Sequence, residues 1–182
     1  MHKKRILIVT SEFPPQPGGI GNHAYYLALY LTKNHYDVRV IADQRAVVNR
    51  EEVAFDAALP FAVTRIAIQR PRFLMYFDRV VKTLSGFKNS DYVIATGKFS
   101  LWNVAFCSLF YKREKLAVIH GSEVNFKSAG LKQSIAISLK QFERVVAVSH
   151  YTKGLVADLN LTVSVIPNGI DLEKWPLADG KK

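Results

Sequence analysis

The sequence predicts an α/β fold: a Rossmann-like, doubly wound parallel sheet of about seven strands, in three layers. Three observations carry this expectation. Seven short β-rich runs alternate with stretches of helical periodicity along the 182 residues, the order that strand–helix–strand crossovers produce. Several runs are apolar almost throughout, as strands covered on both faces are. The composition is 49% hydrophobic and 22% charged with one cysteine. Such a chain can bury a sizeable core, and it has no disulfide framework, zinc ribbon or Cys-x-x-Cys pair.

The elements follow in chain order. Arg5–Thr10 (RILIVT) is the first strand. The basic start at His2–Arg5 looks like a signal n-region, but Thr10, Ser11 and Glu12 break the apolar run too early for a signal peptide. Ile20, Ala24, Leu27, Ala28 and Leu31 recur at helical spacing and predict a helix over 21–33. DVRVIA, 37–42, is the second strand, and 44–60 is the one long irregular connection, charged at its centre by Arg50, Glu51 and Glu52. A third strand is expected over 63–68 and a helix over 71–87. At about 100° per residue, Phe73, Phe77, Val80, Leu84 and Phe87 gather on one face of that helix, expected to be the core side. YVIA, 92–95, is the fourth strand. The greasy run 99–111 is interrupted by Ser100, Asn103 and Ser108 and is too short to span a bilayer, so it reads as a buried helix with Cys107 in the core. Strands over 116–119, 144–148 and 162–166 alternate with helices over 131–142 and 150–158. A cytoplasmic protein is expected.

In such a sheet, ligands bind outside the carboxyl ends of the strands. The loops after the first, fifth, sixth and seventh strands are therefore the informative ones. Gly19-Ile20-Gly21-Asn22-His23-Ala24 fits G-x-G-x-x-G/A, and Asp43 ends the second strand about where a dinucleotide fold places its ribose acid. An NAD(P)-binding domain is thus one reading. Against it, Ser11 to Gly18 separate the strand from Gly19, and three of those eight residues are proline, too long and stiff for the dinucleotide turn. The physics of Gly18, Gly19 and Gly21 survives either way: the backbone can approach a ligand closely, and a helix starting there offers unpaired N–H groups to a diphosphate.

After the fifth strand stands His120-Gly121-Ser122-Glu123, after the sixth Ser149-His150-Tyr151-Thr152-Lys153, and after the seventh Pro167-Asn168-Gly169-Ile170-Asp171, with Trp175 beyond. Together with the glycine loop, this ordered set resembles the N-terminal half of a GT-B-fold retaining glycosyltransferase of family 4, from Ile6 to about Trp175. The resemblance implies a two-domain enzyme that moves a sugar from a nucleotide-sugar donor to a glycan or lipid-linked acceptor, without metal or other cofactor. Residues 1–167 would be the acceptor-side domain and 168–182 the start of the interdomain linker. Gly18, Gly19 and Gly21 would meet the donor's diphosphate. His120 would stand beside the transferred sugar, with Glu123 as its catalytic neighbour. Ser149, Lys153 and Asn168 would line the cleft. No Glu-x7-Glu pair occurs where the family's second domain would carry one, so the chain is expected to be silent alone. His23 and His150 read as helix-surface residues. Ser149 also reads as a helix N-cap.

The net charge of +10 is concentrated: residues 65–153 hold 15 of the 25 basic residues and 5 of the 15 acidic ones. Within them Arg72, Met75, Arg79 and Lys82 form a stripe along the predicted helix, with Arg70 adjacent. This face is expected to hold an anionic acceptor or touch acidic lipid headgroups. A nucleic-acid module is the remaining alternative for so basic a domain, but no nucleic-acid motif accompanies the charge.

Overall fold

The computed structural model describes residues 3–169. Seven strands form one parallel sheet: β1 (Arg5–Thr10), β2 (Asp37–Asp43), β3 (Ala62–Ile66), β4 (Tyr92–Thr96), β5 (Glu114–Ile119), β6 (Arg144–Ala147) and β7 (Val163–Val165). Their order is β3-β2-β1-β4-β5-β6-β7. The helices are α1 (Gly19–Lys33), α2 (Arg50–Ala57), α3 (Arg72–Lys88), α4 (Lys98–Cys107), α5 (Ala129–Leu139) and the short α6 (His150–Gly154). A 3-10 turn, Ala157–Leu159, precedes β7.

Alternation along β1 builds the three layers, because successive strand side chains point to opposite faces. Ile6 and Ile8 pack with Ala24 and Ala28 of α1 and with Val38 and Val40 of β2. Leu7 and Val9 belong to the larger core on the other face, with Phe87 of α3, Leu101 and Val104 of α4, and Ile135 and Leu139 of α5. Cys107 is fully buried in that core, and burial pushes its thiol up to about 12.

Two expectations change. The connection 44–60 is not irregular: it contains α2, whose Glu52 is wholly buried and accepts hydrogen bonds from Arg45 N (2.9 Å) and Arg65 Nη1 (3.3 Å). The other correction concerns α3, which is rotated from its expected setting. Phe73 and Phe77 are 65% and 68% exposed; Val80, Leu84 and Phe87 meet the core as expected, and Arg79 and Thr83 join them inside. Arg79 turns in because Asp43, at the end of β2, offers it a buried carboxylate.

The chain order reverses between β1 and β4, the switch point at which open α/β sheets bind ligands. The carboxyl ends of β1, β4, β5 and β6 all open there.

Candidate functional site

The loop after β1 is held from several sides. Thr10 Oγ1 bonds the Glu12 backbone in both directions (2.8 and 3.3 Å). Phe13 is buried among Tyr25, Phe55 and Phe61, each ring meeting it edge-on or nearly so. Arg45 donates to the carbonyls of Gln16 and Pro17. Arg65 donates to Pro14 O, lies over the Phe13 ring, and pairs with Glu52 and Asp56. Side chains of β1, α1, α2 and β3, together with Arg45 and Phe61, thus fix a proline-rich loop that has no regular structure of its own.

The three glycines differ in what they do. A Cβ on Gly21 would meet the Glu12–Phe13 backbone at 3.1 Å, so this glycine lets α1 pack on the loop. On Gly18 a Cβ would run into the Glu12 carboxylate. Gly19 has open space around it, with nothing within 4 Å of an added Cβ. The start of α1 has no side-chain cap and no acidic residue in its first turn, which leaves its N–H groups and the positive end of its dipole to a ligand.

His120 stands at the carboxyl end of β5. Its Nε2 is 2.8 Å from Thr96 Oγ1, and its backbone N–H donates to Glu123 Oε1 at 2.7 Å. Glu123 is 1% exposed and also accepts from Ser122 Oγ. Its carboxylate therefore anchors the His120 loop from below. Gly121, at φ 114°, makes the turn that only a glycine adopts readily. Burial pulls the His120 imidazole down to about 4, so it is uncharged near neutral pH.

Glu12, Gly19, Ile20, His120, Val148 and Asn168 line one open cleft of about 330 Å³. The structure thus brings Gly19, His120 and Asn168 together. Ser149 caps α6 instead, accepting from Thr152 N at 3.1 Å. Lys153 is exposed on α6, and Met75 is half-buried against the main core. Arg70 and Arg72 are exposed, whereas Lys82 bonds Asp78 and Arg65 O. Sequence reasoning missed Glu12 and Val148 in the cleft. It also misplaced His23, whose ring packs against His120 rather than lying on the surface. Its position three residues after Ile20 and four before Leu27, on the buried side of α1, was the available signal.

Asp43, the acid of the dinucleotide reading, is engaged by the fold itself. Its two carboxylate oxygens accept from Arg79 Nη2 (2.6 Å) and Nε (3.1 Å), so this acid anchors α3.

The Glycosyltransferase Family 4 model matches residues 17–174. The chain belongs to that family. Its described fold is the family's N-terminal GT-B domain, and solved structures agree in shape. A glycosyltransferase from Rickettsia africae ESF-5 superposes with a TM-score of 0.72 at 19% identity, over 100% of this chain and 47% of that one. Anabaena HepE, solved with UDP and glucose, gives 0.71 at 17% identity, over 93% and 46%. Sucrose-phosphate synthase from Thermosynechococcus elongatus gives 0.71 at 14%, over 94% and 49%. The chain thus spans about half the length of these proteins. No curated protein sequence matches it significantly.

Proposed function

We propose that this family 4 domain is the acceptor-side half of a retaining glycosyltransferase, which moves a sugar from a nucleotide-diphosphate donor to a glycan or lipid-linked acceptor. The observation that carries the reading is the cleft at the β1/β4 switch point, where the open Gly19, the uncapped start of α1 and the neutral imidazole of His120 share one wall system with Asn168. HepE, solved with UDP-glucose, shares this fold over 45% of its length.

Gly19 and the α1 N–H groups take one side of the donor's diphosphate, and the helix dipole offsets the negative charge that grows as the nucleoside diphosphate departs. His120 offers its remaining ring nitrogen to a hydroxyl of the transferred sugar. Glu123 acts through His120, as a positioning residue. Gly18 and Gly21 shape the loop, Ser149 sets the start of α6, and Lys153 is an exposed cation on α6 available to the donor. The wall completing the donor site belongs to a second domain. Residues 1–167 form the first, and the linker begins at Asn168; from residue 170 on it lies outside the described residues. The reaction runs without a metal.

The acceptor approaches over α3. Arg70 and Arg72 stand beside the exposed Leu74, Phe73 and Phe77, an apolar surface rimmed by cations that suits an anionic, lipid-linked acceptor or acidic headgroups. Met75, Arg79 and Lys82 support this face from beneath rather than forming it. Contact of this kind would be peripheral, on the cytoplasmic side; no helix among the described residues is long and apolar enough to cross a membrane.

The test is a transfer assay with a panel of nucleotide sugars. The 182-residue chain is expected to release no nucleoside diphosphate alone. Turnover by the purified chain would overturn the half-site reading.

A further inference from the structure

His23, in the second turn of α1, meets His120 edge to face, with ring centroids 4.9 Å apart and planes at 77°. The contact joins two layers of the fold, since one ring comes from the helix over the sheet and the other from the carboxyl end of β5. Thr96, at the end of β4, bonds His120 Nε2. His120 Nδ1 has no hydrogen-bond partner among the described residues. His23 makes no hydrogen bond to a described residue either, and its Nδ1 is buried without a partner. What His23 gives the site is therefore a flat ring in a fixed place, not a hydrogen bond.

We propose that His23 is a positioning residue for His120: its ring and Thr96 Oγ1 together fix the plane of the His120 imidazole and keep bulk water from it, leaving Nδ1 for a ligand in the cleft. This deepens the donor-cleft reading by naming the residue that shapes its histidine.

The charge state of His120 follows from the same packing. Burial lowers both imidazoles to about 4, and His120 adds a repulsion that further disfavours charge on His23. The charged groups of this corner are the carboxylates Glu12, across the cleft, and Glu123, in the loop. Burial is what sets the direction of the His120 shift. Lys33 lies at the far end of α1, Glu114 and Lys115 at the far end of β5. Lys98, two residues past Thr96, lies over the Phe99 and Phe126 rings, and Lys153 is exposed.

The experiment is a ¹³Cε1 NMR titration of the histidines in the ligand-free 182-residue chain, with His120 assigned by His120→Gln. In the wild type, the His120 signal is expected to keep its neutral position until about pH 4. His23→Ala admits water and is expected to raise the proton affinity of His120 by about tenfold or more, toward the ordinary histidine value. His23→Phe, which restores a ring of similar shape, is expected to leave His120 as in the wild type. Should the alanine chain not fold, His23→Asn serves the same comparison. An unchanged His120 titration in the small-residue variant would overturn the proposal, and so would a rise with phenylalanine equal to that with the small residue. No ligand enters this measurement, so its failure leaves the donor-cleft reading standing, and failure of donor binding leaves this result standing.

Discussion

Arg79 grips both oxygens of Asp43, Nη2 at 2.6 Å from one and Nε at 3.1 Å from the other. The pair ties α3 to the end of β2, and both side chains are largely buried. Burial pushes the Asp43 carboxyl up while the guanidinium pulls it back. Arg79 also lies over the rings of Tyr76 and Phe99, so one side chain anchors the helix that carries the exposed aromatic face. Removing one member leaves the other buried and unpaired. Arg79→Met should cost about 3–5 kcal/mol in urea unfolding. A double Arg79→Met/Asp43→Asn chain should recover part of that loss.

Gly19 and Gly21 are expected to separate binding from stability. Gly21→Ala forces a Cβ onto the Glu12–Phe13 backbone, an overpacking that should cost about 1–3 kcal/mol. Gly19→Ala meets nothing, and alanine suits a helix better than glycine. Its stability should hold or rise slightly while nucleotide-sugar affinity, measured by calorimetry, falls.

The two neutral histidines set an acid window. Their folded affinities for protons lie below the unfolded value, near 4 against 6.5. The unfolded chain therefore takes up protons first as pH falls, and the contribution present above pH 6.5 is lost progressively down to about pH 4. The urea midpoint should drop between pH 7 and 5. A His23→Phe/His120→Phe chain should show a flatter profile over that interval.

The α3 surface predicts salt-sensitive binding to vesicles. Phe73→Ser/Phe77→Ser should abolish sedimentation with anionic vesicles at low salt, because it removes the apolar contact. Arg70→Gln/Arg72→Gln should weaken it, each cation contributing about 1 kcal/mol. Equal sedimentation with neutral and anionic vesicles would remove electrostatic docking.

The sheet was legible because its strands are short β-rich runs, several of them apolar almost throughout, that alternate with helical stretches. β1 matches its expected bounds, and the others differ by a residue or two at one or both ends. α2 escaped because it buries little: Glu52 is its buried residue, and a buried acid has no hydrophobic period. The setting of α3 escaped because Arg79 is drawn inward by Asp43, 36 residues away, and no helical wheel contains that partner. His120, Gly19 and Asn168 were legible from their places after strands. The division of work among the glycines, and the burial of His23, needed the neighbouring backbone to be seen.

The most direct test of the central claim is to follow the His120 side chain and the Gly19 amide by NMR while adding UDP-, GDP- and ADP-sugars. The donor-cleft account predicts that one of these moves both signals saturably, and that Gly19→Val abolishes the response while the chain stays folded. Saturable shifts confined to other parts of the fold, with both signals still, would contradict it.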